Sequence, residues 1–142
     1  MSSETRVAEF AKIVGPQNVL TAEDDRRRYA HDKLPYANFR ARAGALVGTL
    51  PGVVVRPGTA AEVQQVVQLA AEAGLPVIPY GSGSGVLGGT IPRGEEVLID
   101  MQRMDRILSV DPENALVTVE AGMNGELFEA ALNKQGYTAG HL

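Results

Sequence analysis

The chain contains no cysteine. Disulfides, thiolate metal sites and a cysteinyl link to a prosthetic group are therefore excluded within its 142 residues. It has no tryptophan, only three phenylalanines and four tyrosines, too few for an aromatic platform on which nucleic-acid bases could stack. Positive charge is not in surplus: 13 Lys and Arg against 17 Asp and Glu leave a net charge of −4. This balance argues against nucleic acid or an anionic membrane as a general partner, and any anion must be held by a local device. No apolar run approaches the roughly 20 residues a transmembrane helix needs. The N-terminus reads as an amphipathic helix, not a secretory signal, so a soluble, cytoplasmic domain is expected.

Glycine, by contrast, is plentiful. Of 16 glycines, six fall between Gly81 and Gly94.

The flanking sequence tells what surrounds that cluster. Val7, Phe10, Ala11 and Val14 recur at helical spacing over Glu4 to Val14, with Ser3 as the expected cap and Gly15-Pro16 as the stop. Thr21 is expected to cap a second helix that carries Glu23, Asp24 and Asp25 in its first turn. Arg26, Arg27 and Arg28 follow, and they read as a solvated face paired to the local acids in preference to a phosphate patch. From Leu34 to Gly52 the pattern is weak and predicts mostly loop.

Val53–Arg56 then reads as a buried strand, and Thr59 with Glu62 as a capping box. Val63, Val66, Val67 and Ala70 form one predicted apolar stripe, closed by Gly74 and Pro76. Val77–Tyr80 is the next strand. Strand, capped helix and strand make a βαβ unit with a right-handed crossover. Val97–Ile99 reads as a third strand, and Arg106–Val110 and Ala115–Glu120 as a pair joined through Asp111-Pro112-Glu113-Asn114. Asn124 is expected to cap a final helix with Leu127, Phe128, Ala131 and Leu132 on one face, ended by Gly136.

The glycine cluster leaves the carboxyl end of a βαβ strand, the edge at which open α/β sheets bind ligands. Glycines admit left-handed backbone and close approach, and successive amides can converge on an anion. Ser82 and Ser84 add hydroxyls. A Walker A loop fails for want of lysine, and a nucleophile elbow fails because Gly83, not serine, centres the Gly81–Gly85 pentad. Gly83, Gly85 and Gly88 match a dinucleotide fingerprint formally, but Gly89, Pro92 and Gly94 forbid the helix it must open. A phosphate cradle that continues as loop remains, against the plainer reading of a flexible turn.

Val55-Arg56-Pro57, the helix after Thr59, Val77-Ile78-Pro79-Tyr80-Gly81-Ser82-Gly83-Ser84-Gly85 and the stretch from Ile99 to Ile107 together resemble FAD-linked oxidases. The family is the vanillyl-alcohol oxidase and p-cresol methylhydroxylase superfamily, and the likeness is strongest to D-lactate and glycolate dehydrogenases and to alkylglycerone-phosphate synthases. The resemblance implies an α+β fold of the PCMH-type: a small parallel βαβ lobe over 53–105, after an N-terminal helical and loop segment over 1–52, and the start of a second, antiparallel lobe over 106–142. It implies non-covalent FAD, with the diphosphate wrapped by Pro79, Tyr80, Gly81, Ser82, Gly83, Ser84 and Gly85 and accepting from the Ser84 hydroxyl. Members with a histidyl flavin can carry that His in this loop, and Ser84 stands there instead. It further implies an N-terminal fragment without a complete active site, whose partners are FAD and the rest of the parent enzyme. His141 is expected to serve structure in the continuation in preference to catalysis.

Three functions follow as alternatives: part of an oxidoreductase acting on a 2-hydroxy acid or related alcohol, part of a synthase-type transferase, or a non-catalytic interaction module. Apolar surface left at the lobe boundary is expected to favour self-association.

Overall fold

The structure is a computed structural model that describes residues 3–140. Five α-helices and six strands follow in the order α1 (Ser3–Val14), β1 (Val19–Leu20), α2 (Glu23–Arg28), α3 (Pro35–Arg42), β2 (Val53–Val55), α4 (Ala60–Glu72), β3 (Val77–Tyr80), β4 (Val97–Asp100), β5 (Ile107–Asp111), β6 (Leu116–Val119) and α5 (Gly125–Asn133). The first four strands make one sheet in the order β1-β2-β4-β3, and β5 and β6 make a separate antiparallel ribbon.

β2 and β4 consist of residues that are all buried, which is what a parallel sheet covered on both faces requires. β4 lies between β2 and β3 and pairs parallel with each: Val53 faces Val97 on one side, and Tyr80 faces Asp100 on the other. The βαβ unit thus spans a gap that β4 later fills. β1, paired antiparallel to β2, adds an edge strand that the two-residue run Val19-Leu20 had been too short to reveal.

α4 is well specified. The Glu62 amide donates to Thr59 Oγ1 at 3.1 Å, and the Glu62 carboxylate accepts from the Gly58 amide at 2.7 Å, closing the box on both donors. At the other end Gly74 adopts φ 65°, the Leu75 amide reaches the Ala70 carbonyl, and the Gly74 amide reaches that of Ala71. Val66 and Ala70 pack with Phe10 and Val14 of α1 and with Val53, Val55, Val97 and Ile99 of the sheet. Removing a phenylalanine side chain as fully enclosed as Phe10 would cost roughly 3–5 kcal/mol. Val67, expected on the apolar stripe, instead faces solvent, and Leu69 takes the place beside the core. The helix is amphipathic over a narrower arc than a Val-Val pair suggests.

Further expectations are corrected. Residues 35–42, expected to be loop, form α3, whose only buried side chain is Ala37; an apolar stripe one residue wide leaves no periodicity to read. The cap of α2 is Ala22, with no side-chain bond, because the helix begins one residue after the position Thr21 would cap. Ser3 is already within α1, so the cap position falls outside the described residues. Arg27 and Arg28 pair with Glu23 and Asp25 as the charge pattern suggests, but Arg26 turns inward and donates to the Pro51 carbonyl at 3.0 Å.

In the β5–β6 ribbon Asp111 accepts from both the amide and the side chain of Asn114, and Ala115 takes φ 53° to close the turn. Asn124 caps α5 through the Leu127 amide, and Gly136 at φ 81° ends it. His141 lies outside the described residues.

Candidate functional site

The 81–94 stretch leaves the carboxyl end of β3 and crosses toward the opposite edge of the parallel sheet, where β4 begins, so only its first part stands above the edge at which β3 and β4 end. Facing the loop is the turn between β6 and α5. Between them lies a cleft of about 360 Å³ lined by Gly81, Ser82, Gly83, Ser84, Gly85 and Thr90 on one wall and by Ala121, Gly122 and Met123 on the other. That volume lies within the range of small-molecule sites, roughly 300–1,000 Å³. None of these lining residues is charged.

The loop is shaped from below. Tyr80 turns into the protein, and its ring lies under Gly83, where an added Cβ would be 2.8 Å from Tyr80 Cζ and closer still to the hydroxyl. Gly83 also has φ 66°, so both sterics and backbone demand glycine there. Tyr29 meets the Tyr80 ring edge-on at 5.1 Å and donates its hydroxyl to Asp100 Oδ2 at 2.8 Å. Asp100 is wholly buried; its Oδ1 accepts from the Gln102 amide at 2.8 Å, and Arg56 Nε stands 3.3 Å from Oδ2 as a charge partner without hydrogen-bond alignment. Gln102 in turn donates to the Gly81 carbonyl at 2.9 Å, tying down the first glycine. Burial raises the pKa of Tyr29 well above that of a free phenol, and the bond to Asp100 adds to this. Burial also raises Tyr80, with Asp100 and Asp32 contributing. Both phenols stay neutral and act as supports, not bases.

A second support comes from before α3. Asp32 is 1% exposed; its Oδ1 accepts from the Leu34 amide and its Oδ2 from the Gly88 amide, each at 2.8 Å, while the Lys33 amide donates to the Gly85 carbonyl at 2.8 Å. The far half of the loop is thereby bound inward.

The sequence-predicted residues divide accordingly. Gly81, Ser82, Gly83, Ser84 and Gly85 line the cleft; Pro79 and Tyr80 stand behind it in β3. Beyond Gly85 two amides of the stretch are committed within the protein, that of Gly88 to Asp32 and that of Ile91 to the Gly88 carbonyl. Among the described residues the amides of Gly81 to Gly85 donate to no protein group. Thr90 Oγ1 is buried with no hydrogen-bond partner, in a wall of the same cleft. A buried hydroxyl left so costs roughly 1–3 kcal/mol, a cost that an acceptor in the cleft would remove.

Sequence reasoning missed Thr90, Asp32 and the opposing turn. Gly122 carried a signal of its own: a Cβ there would be 2.8 Å from Gln102 Cα and closer still to the Met101 carbonyl. A smaller cavity of about 260 Å³, with Arg6 and Arg26 in its wall, opens beside Gly52, Val53, Leu75 and Gly94, at the opposite end of the strands from Gly81–Gly85.

Comparison with known proteins shows the family and the fold. Residues 51–142 match the family described as FAD binding domain, and the chain belongs to it. It is 37% identical over 106 residues to an alkyldihydroxyacetonephosphate synthase of Dictyostelium discoideum, covering 72% of this chain and 17% of that protein. It is 31% identical over 116 residues to a D-lactate dehydrogenase of Anaerostipes hadrus, covering 81% of this chain and 22% of the other. A solved alkyldihydroxyacetonephosphate synthase superposes with a TM-score of 0.88 at 30% identity, over 99% of this chain and 26% of that one. p-Cresol methylhydroxylase, at 24% identity and a TM-score of 0.72, shares the fold. The chain therefore spans about a fifth of the length of the curated relatives named here. The fold is the α+β, PCMH-type FAD-binding fold, and FAD is its cofactor. An uncharged cleft with free amides, an orphaned hydroxyl and enforced glycine fits a diphosphate held by dipoles.

Proposed function

We propose that this chain supplies the diphosphate-binding wall of the FAD site in a flavoenzyme acting on a 2-hydroxy acid or related alcohol. The observation that carries the reading is that residues Gly81 to Gly85 line one wall of the cleft while their amides, among the described residues, serve no protein acceptor. Ser82, Ser84 and Thr90 add hydroxyl donors, and Pro79 and Tyr80 hold the loop from behind. FAD, when bound, supplies the two-electron chemistry; the residues here bind and orient it. Ser84, in place of a histidine, leaves the link non-covalent. Residues 53–105 and 106–142 act as the two lobes across which the cofactor lies.

The test is an NMR titration of the chain with FAD and ADP. Shifts concentrated in the amides of Gly81–Gly85, with AMP much weaker, support the reading; shifts elsewhere, or none at millimolar ligand, end it.

A second reading, a synthase-type transferase, is favoured by the 37% identity to the Dictyostelium protein and by the 0.88 superposition. Reduction of an electron acceptor by the whole enzyme with 2-hydroxy acids separates the two: the first reading requires it, the second does not.

A further inference from the structure

We propose that Asp32 is the positioning residue of the glycine-rich loop, and that it sets the cofactor affinity of the cleft through geometry and against its own charge. The proposal rests on reading the cleft as a diphosphate site. Its basis is a juxtaposition across 56 residues of chain: two hydrogen bonds of 2.8 Å, Gly88 amide to Asp32 and Lys33 amide to the Gly85 carbonyl, join the segments, and a third of 2.8 Å, from the Leu34 amide to Asp32, braces the near side. Two of the three end on one buried carboxylate that has no cationic partner among the described residues.

The arrangement sets two effects against each other. A carboxylate close beneath an anion site repels the anion: a Cβ at Gly85, itself a lining residue, would lie 3.6 Å from Asp32 Oδ2. The same carboxylate makes charge-assisted bonds about twice as strong as neutral ones, and with the Lys33 amide it ties the two segments together. By taking the Gly88 amide it turns residues 86–89 away from the cleft. Lys33, through the Gly85 carbonyl, fixes where the other half of the loop ends. The amides of Gly81 to Gly85 are then free by construction, not by chance. A loop of this glycine content would otherwise populate many conformations and bind only from a few of them, which lowers the apparent affinity by the fraction that is competent.

Asp32→Asn distinguishes the two effects. Asparagine keeps the size and one acceptor, removes the charge, and turns an NH2 group toward one of the two amides. The experiment compares the wild-type chain with Asp32→Asn, and with Asp24→Asn on exposed α2 as a control, by amide hydrogen exchange and by NMR titration with ADP and FAD. If Asp32 works by position, Asp32→Asn raises the Kd for both ligands by about tenfold or more. It also speeds exchange at residues 85–91 while leaving the protected amides of β2, β4 and α4 at wild-type rates.

Unchanged or tighter binding overturns the proposal, as does faster exchange spread evenly over the sheet, which would mark a merely structural acid. Wild-type chain that binds neither ligand overturns the reading of the cleft and the proposal with it. Wild-type chain that binds while Asp32→Asn binds equally overturns the proposal alone.

Discussion

At the scale of single residues, the site depends on positions where no side chain is allowed. Gly83 combines φ 66° with a tyrosine ring packed against the face where Cβ would project. Gly83→Ala should lower stability by about 1–3 kcal/mol in urea denaturation and abolish the ligand-induced shifts of the loop. Tyr80→Phe removes the nearest obstructing atom, so in the double variant the penalty should be less than the sum of the two single changes. Additive penalties would show that the ring and the glycine do not meet. Glu96 provides a residue-scale pH dependence. Burial pushes its pKa up, but the amides of its own residue, Arg93 and Gly94 donate to the carboxylate and hold it below the usual carboxylate range. A carboxyl lowered on folding stabilises the protein above its unfolded value, about 4.3, and that contribution fades as pH falls through the lower folded value. Denaturation midpoints measured across this acid range should fall less steeply for Glu96→Gln than for wild type; identical slopes would remove Glu96 as a source of acid lability.

At the scale of elements, stability rests on ends and turns. Asn124→Ala removes the acceptor for the Leu127 amide and should cost about 1 kcal/mol, read from urea denaturation followed by helical circular dichroism. Ala115→Gly should do the opposite at the β5–β6 turn: relief of φ 53° outweighs the added freedom of the unfolded chain, for a net gain of roughly 0.5 kcal/mol. The same ends and turns explain what could be read from the sequence. α4 was legible because its box, stripe and terminal glycine all signal one helix, and α5 because Asn124 and Gly136 bracket a clear apolar face. The buried runs of β2 and β4 were legible as strands, but their spatial order was not, since nothing in Val97-Leu98-Ile99 says that it lies between two earlier strands. α3 escaped because only Ala37 faces inward. Of the site, the glycine wall was visible in composition, whereas Asp32 sits in His31-Asp32-Lys33, a charged triplet that resembles any surface loop until the fold brings Gly88 to it.

At the scale of the whole molecule, the two sheets are unequal. The four-stranded sheet is covered by α1 and α4 and enclosed by two apolar clusters, whereas β5 and β6 form a bare ribbon with two open edges. Two strands alone are marginal in water, so amide exchange should be markedly faster in β5–β6 than in β2–β4. Leu108, Leu116 and Leu127 are each more than half exposed, and a cleft of about 430 Å³ between the ribbon and α5 is lined by Leu116, Val117, Phe128, Leu132 and Tyr137. Apolar area of this kind gains roughly 25 cal/mol per Å² when covered. In the chain by itself the available cover is a second copy, through the ribbon edges or through the leucines. Sedimentation velocity should therefore show a weight-average mass that rises with concentration. Leu116→Lys with Leu127→Lys should shift that rise to higher concentration while the exchange rates of β2 and β4 stay unchanged. Were the wild-type chain to sediment as one monomeric species at every concentration tested, the exposed leucines and the ribbon edges would not be a surface for self-association.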